Sequence, residues 1–243
     1  SAIGVGVVKG GDAFVSLGTS GVLFAASDAY QPDAASAVHT FCHALPDTWH
    51  QMGVILAATD AMNWFSKVLN SSVQEMTSKL GEIKAPSDTL FLPYLGGERT
   101  PHNDAKIRAS FVNLDHNADR ETMTRAVIEG VTFAFKDSYD ALTSTGTDIK
   151  QLVAVGGGSK SDYWVQAIAT TLGLPISIPV SGDYGGAFGA ARLSMIAQGA
   201  SKDEVAISPK IKKIIEPVMP LHDEYLSALN ASRSDYKALK TLT

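Results

Sequence analysis

The chain is 243 residues long, 45% hydrophobic and 19% charged, enough to bury a sizeable core and too apolar to stay disordered. Its 25 acidic and 20 basic residues give a formal net charge of -5 and are scattered rather than in runs, which argues against nucleic acid as the main partner and against an acidic tail. No apolar run reaches the roughly 20 residues needed to cross a bilayer. The single cysteine, Cys42, rules out a disulfide within the chain and fits a reducing, cytoplasmic setting.

The first residues, Ser1-Ala2-Ile3-Gly4-Val5-Gly6, lack both an initiator methionine and the basic stretch of a signal peptide, and read as the continuation of a longer chain. Ala13–Leu17 is a predicted strand, Gly18-Thr19-Ser20-Gly21 a break, and Val22–Ala26 a second strand, so the three form a hairpin. A third strand is predicted over Trp49–Val54. From Leu56 to Leu69 the period changes, with Ala61, Trp64, Phe65 and Val68 at helical spacing, and a short helix over Val73–Leu80 ends at Gly81.

Leu90–Leu92 is a further strand, followed by irregular sequence from Pro93 to His102. Asp119 is placed to cap a helix running to about Thr145, with apolar residues on two adjoining faces, as in a helix buried on more than one side. Then come a strand (Leu152–Val155), a glycine loop (Gly156–Lys160), a helix (Asp162–Leu172) and a strand (Ile176–Ile178). A small-residue helix (Gly185–Gln198) and an amphipathic one (Leu221–Leu239) complete the chain. A meander followed by strand–helix units is α/β with a mixed sheet.

Four segments carry candidate chemistry. Gly18-Thr19-Ser20-Gly21 could converge backbone N–H groups and hydroxyls on a phosphate; an ordinary hairpin turn is the plainer reading. Gly156-Gly157-Gly158-Ser159-Lys160-Ser161 follows a strand and opens a helix, so its three glycines allow close approach of a ligand, and the helix start offers free N–H groups. It lacks the Gly-Lys-Ser/Thr end of a Walker A loop. His39, Cys42, His43 and His50 are metal-capable, but no second cysteine accompanies them and satisfied or exposed histidines are the plainer reading. The charges of Glu98-Arg99-Thr100-Pro101-His102 are expected to be solvated. Trp49, Trp64 and Trp164 are expected in the core or an interface.

In order along nearly the whole chain, Ala13–Gly21, Phe41–Pro46 with Trp49–Gly53, Leu92–Asp104, Arg125–Gly130, Gly156–Trp164 and Gly189–Leu193 resemble the FGGY carbohydrate kinases. Phe41–Gly53 and Leu92–Asp104 are most similar to the xylulokinase branch of that family. The resemblance implies an α/β, actin-like (ribonuclease H-like) ATPase domain, with a mixed five-stranded sheet and flanking helices. It implies that residues 1–243 are the C-terminal, ATP-binding half, with the N-terminal sugar-binding domain outside the chain. The implied activity is Mg²⁺-dependent transfer of the ATP γ-phosphoryl group to D-xylulose, giving D-xylulose 5-phosphate. Alternatives are an FGGY kinase for another sugar or polyol, or an actin-like ATP-binding module without sugar chemistry; a Rossmann dehydrogenase stands third.

By the same resemblance Gly18 and Thr19 sit at the γ-phosphate, Gly157 and Gly158 against the ribose and α-phosphate, and Ser161 near the adenine, while the helix around Gly189 packs by the nucleotide. No catalytic residue and no metal ligand is assigned within the chain; the base is an aspartate expected just upstream of Ser1, so this half alone is expected to be inactive. The implied partners are ATP and ADP and, through the N-terminal domain, the sugar, with a homodimer as a further candidate; nucleic acid and membrane are not among them. Two departures stand out: Asn113 replaces the glycine usual in the family's signature, and Thr122 replaces a larger polar residue.

Overall fold

The hairpin read from the sequence becomes the centre of a seven-stranded mixed sheet in the computed structural model, which describes residues 1–180 and 185–242. The strands are β1 (Ala13–Leu17), β2 (Gly21–Ser27), β3 (His39–Cys42), β4 (Trp49–Ile55), β5 (Leu90–Leu92), β6 (Ser110–Val112), β7 (Leu152–Val155), β8 (Ile176–Pro179) and β9 (Ile211–Ile215). The helices are α1 (Thr59–Leu69), α2 (Val73–Ser78), α3 (Arg120–Ser144), α4 (Asp162–Leu172), α5 (Gly186–Ala197), α6 (Lys202–Val205) and α7 (His222–Lys240). The main sheet runs β3-β4-β2-β1-β7-β8-β9, and β5 and β6 form a separate ribbon. β1 is antiparallel to β2 and parallel to β7, and β7 is parallel to β8.

Of the six strands read from the sequence, β1, β2, β4, β7 and β8 lie in this sheet and β5 lies in the ribbon, and the sheet expected to have five strands has seven. The two additional ones are the edges: β3 is half exposed, and β9 carries two lysines in five residues. Neither alternates cleanly in hydrophobicity, because an edge strand needs no fully buried face.

Strand alternation divides the sheet into two faces. Val15, Leu17, Leu23 and Ala25 join the main core, over which α3 lies. Phe14, Phe24 and Val155 face the other way, against Val5 and Val7. α3 starts where expected: the Asp119 carboxylate accepts the Thr122 N–H at 2.8 Å, and the 25-residue helix ends before Thr145. Its apolar residues are buried on several sides because β4, β5, α1 and α4 all pack on it. In α1 the buried face is Ala61, Met62 and Phe65; Val68, expected on that face, is 60% exposed. Asn113 adopts φ 56°, a left-handed conformation that asparagine tolerates and glycine favours. Thr122 gives Asp119 both its capped N–H and its side-chain hydroxyl.

Candidate nucleotide site

β1 and β7 are parallel and end level, Ser16 opposite Val155, so the two glycine segments that follow them emerge side by side. This is the carboxyl edge of the parallel strands, where open α/β sheets bind ligands.

The hairpin closes with Leu17 opposite Gly21, leaving Gly18, Thr19 and Ser20 as its tip. Both inner carbonyls are pinned to the start of α1. The Gly18 carbonyl accepts from the Thr59 N–H at 2.9 Å and the Thr59 hydroxyl at 2.8 Å. The Thr19 carbonyl accepts from Ala58 N–H at 2.9 Å and Asp60 N–H at 3.2 Å. In a planar trans peptide the N–H points opposite to the C=O. The N–H groups of Thr19 and Ser20 are therefore turned away from α1, at two exposed residues, and meet no acceptor among the described residues. Outward donors beside a threonine hydroxyl form a concavity suited to an anion. The start of α1, by contrast, has its own N–H groups consumed by the hairpin.

The second segment is held by close packing. Gly156 has φ 90°, and a Cβ there would lie 2.7 Å from the Leu17 carbonyl oxygen. A Cβ on Gly158 would lie 2.8 Å from Leu17 Cβ and 3.1 Å from Thr59 Cγ2. The sequence reading of three glycines kept open for a ligand is thus corrected: Gly156 and Gly158 are filled by the protein's own β1 and α1. Gly157 is the open one, exposed and with nothing among the described residues within 4 Å of a Cβ. Ser161 caps α4, its hydroxyl accepting the Trp164 N–H at 3.3 Å, so one of the donors expected to be free at this helix start is already used.

Beyond Gly157 lies a cavity of about 560 Å³. Gly157, Gly158, Lys160, Ser161 and Trp164 form one wall. α1 and α2 form the other, through Thr59, Met62, Asn63, Val73, Gln74 and Thr77. Trp164 is buried, yet its indole N–H has no acceptor among the described residues. The α1–α2 wall carries no motif, and sequence reasoning missed it. Arg125 steadies the α4 wall from behind: its Nε donates to the Tyr163 hydroxyl at 3.0 Å while it pairs with the buried Glu129 at 3.2 Å.

Gly18, Thr19, Gly157, Gly158 and Ser161 are therefore brought together on one edge of the sheet. The helix around Gly189 is not beside them. Gly189 packs on Gly4 and Ser1, on the opposite face, and α5 borders a different cavity lined by Phe14, Phe24, His50 and Met52. The histidines act in packing: His50 stacks on Phe24 at 4.6 Å, His43 bonds the Val7 carbonyl at 3.1 Å, and His39 meets Arg99. Burial pulls all three below the ordinary histidine range. Among the described residues no three His, Cys, Asp or Glu converge as a metal set.

The Glu98–His102 segment departs from the solvated expectation. Arg99 is exposed, but Glu98 is 3% exposed. Its Oε1 accepts from Leu56 N–H at 2.9 Å and Arg99 N–H at 2.7 Å, and its Oε2 is buried without a partner among the described residues. Burial pushes this carboxyl up to about 7.

A seven-stranded mixed sheet with helices folded across it is the actin-like, ribonuclease H-like ATPase fold of the kinases that this chain superposes on. A family model described as the FGGY family of carbohydrate kinases, C-terminal domain, matches residues 13–198, and the chain belongs to that family. It is 39% identical over 212 residues to the xylulose kinase of Escherichia coli K12, covering 86% of this chain and 44% of that protein. It is 35% identical to a Staphylococcus epidermidis xylulose kinase, covering 100% of this chain and 50% of that protein. Among solved structures, a "xyloylose kinase" from Brucella ovis superposes with a TM-score of 0.96 at 56% identity, covering 100% of this chain and 51% of that one. The chain thus spans about half the length of the relatives it matches.

Proposed function

We propose that this chain is the nucleotide-binding half of an ATP-dependent sugar kinase whose whole polypeptide phosphorylates D-xylulose to D-xylulose 5-phosphate in the cytoplasm. The observation that carries this reading is the meeting of the Gly18–Ser20 tip and the Gly156–Ser161 loop beside the 560 Å³ cavity. The xylulose kinases among its relatives supply the sugar.

In this reading the adenosine lies between Met62 and Val73 on one side and Trp164 and Ser161 on the other. The phosphates run past Gly157 to the outward N–H groups of Thr19 and Ser20. Phosphoryl transfer depends mostly on positioning and charge stabilisation. The pinned hairpin suits this, because its donors need no reorganisation as charge shifts during transfer. Magnesium carried on the triphosphate would neutralise part of its charge.

The proton acceptor for the sugar hydroxyl is assigned to the other half of the kinase. Asp12 sits at the start of β1, accepting the Val8 N–H at 3.2 Å and the Lys9 N–H at 3.1 Å, a strand's length from Thr19. Asp60 is exposed on the first turn of α1.

Calorimetry of the 243-residue chain with Mg-ADP tests the nucleotide assignment. A half-cleft gives binding in the high-micromolar range or weaker, about -5 kcal/mol. Nanomolar affinity would contradict the half-site, and no heat at millimolar ADP would remove the cavity from the reading. The chain alone should release no xylulose-dependent ADP. Joined to its N-terminal half it should, and changing the proposed upstream aspartate to alanine should abolish that release.

A further inference from the structure

The buried carboxylate of Glu98 is placed where the assigned site residues do not explain it. Its backbone is clamped by reciprocal bonds with Asp104, N to O at 2.8 Å in each direction. Two residues on, Thr100 holds β4 in the same way: its N–H donates to the Val54 carbonyl at 3.1 Å and its hydroxyl accepts the Val54 N–H at 3.0 Å. Glu98 Oε1 takes the next N–H available along that edge, from Leu56. The Glu98–Thr100 segment thus runs alongside the end of β4 as a short third rail, opposite β2.

Leu56 is the link to the phosphate edge. Its carbonyl accepts from the Ser20 hydroxyl at 3.1 Å. The residues that follow it, Ala58, Thr59 and Asp60, are those whose N–H groups hold the hairpin carbonyls. The run from Val54 to Asp60 is therefore a bracket under the hairpin tip, gripped on its far side by Glu98 and Thr100. Ser20 and Glu98 meet the same residue from opposite ends of one peptide pair.

Resting on the nucleotide-site reading above, we propose that Glu98 is a positioning residue for phosphoryl transfer. Its buried carboxylate fixes Leu56, and through Leu56 and the start of α1 it aims the N–H groups of Thr19 and Ser20. Glu98 touches neither nucleotide nor sugar. Its loss lets the bracket slide and the donors swing, while Gly157 and the α4 and α2 sides of the cavity, which it does not hold, stay in place.

The separable consequence is in the kinetics. In the kinase polypeptide that carries both halves, Glu98→Ala should lower kcat by 10-fold or more and change the KM for ATP and for sugar by less than 3-fold. Glu98→Asp, one methylene shorter and unable to reach Leu56 from the same backbone, should behave the same way. Glu98→Gln keeps the Oε1 acceptor and both of its bonds, and should restore kcat to within 3-fold of wild type. Ser20→Ala removes only the other end of the link, at an exposed position, and should lower kcat less than Glu98→Ala. Combined with Glu98→Asp, it should cost less than the product of the two single effects, since both act on Leu56.

A wild-type kcat in Glu98→Ala or Glu98→Asp overturns the proposal, as does a Gln variant as slow as the Ala variant. If Glu98→Ala does not fold, Glu98→Asp and the Ser20 combination decide, and independent effects in that pair count against the link. A wild-type polypeptide with no sugar-dependent ADP release at all is instead a failure of the functional reading.

Discussion

The two glycine segments of the site look alike in the sequence and are held by opposite means. The Gly18–Ser20 tip is exposed, and its conformation is imposed by hydrogen bonds from Ala58, Thr59 and Asp60, with Leu56 and Glu98 behind them. The Gly156–Gly158 loop is imposed by contact: two of its three glycines have no room for a Cβ against Leu17 and Thr59. Donors that must be aimed are held by directional bonds, which fix an orientation. A loop that must only leave space is held by sterics, which fix a distance. Substitutions in the first segment should therefore disturb rate, and those in the second stability or nucleotide affinity.

The largest effect expected is on rate. Thr19→Val in the two-half kinase should raise the barrier by about 2–4 kcal/mol, seen as a lower kcat, because it deletes a donor aimed at the transferring group. Thr19 is exposed, so the melting temperature should hardly move. An unchanged kcat would return the tip to an ordinary hairpin turn.

Next comes Gly158→Val, which should act on the fold. A β-branched side chain 2.8 Å from Leu17 Cβ overpacks the end of β1, at a cost of about 1–3 kcal/mol measured by urea unfolding of this chain. A stability within error of wild type, with only the ATP KM raised, would mean that the glycine serves the ligand after all.

The bracket behind the hairpin has its own signature in pH. Burial raises the Glu98 carboxyl from 4.5 to about 7. Below pH 4.5 it is protonated in both states; between 4.5 and 7 the unfolded chain releases a proton that the folded chain retains. Stability therefore falls as pH rises through that window and stops falling above it, by roughly 1–3 kcal/mol. His102, lowered to about 4 by burial, works in the other direction between 4 and 6.5. The test is accordingly the difference between wild type and Glu98→Gln in melting temperature against pH, and parallel curves would refute the assignment.

The smallest effect on stability belongs to Gly157→Ala. With nothing among the described residues within 4 Å of the new Cβ, folding should change by about 0.5 kcal/mol or less, while Mg-ADP binding by the chain weakens several-fold. Unaltered binding would mean that the nucleotide does not pass over Gly157.

Much of the frame was legible because it is written locally. Asp119 capping α3, Ser161 preceding α4, the β1–β2 hairpin and the five inner strands follow from caps, periodicity and turn residues that act within a few positions of themselves. The two glycine segments were legible as candidate phosphate loops for the same reason. The resemblance of Gly156–Trp164 and Leu92–Asp104 to one kinase family added the nucleotide roles that no local rule supplies.

What the chain could not show in one dimension is whatever depends on which distant atom arrives. Glu98 sits in a polar, irregular stretch, and only the approach of Leu56, 42 positions away, turns a solvated charge into a buried acceptor. Gly157 and Gly158 are adjacent and identical, and the packing of Leu17 and Thr59 alone decides which is open. The cavity wall of Met62, Asn63 and Gln74 comes from the packing of α1 against α2, and β3 and β9 are strands because they pair with β4 and β8 at the two edges of the sheet. Local conformation is set by dihedral preferences and caps; burial, openness and the aim of a backbone donor are set by contacts between segments far apart in the chain.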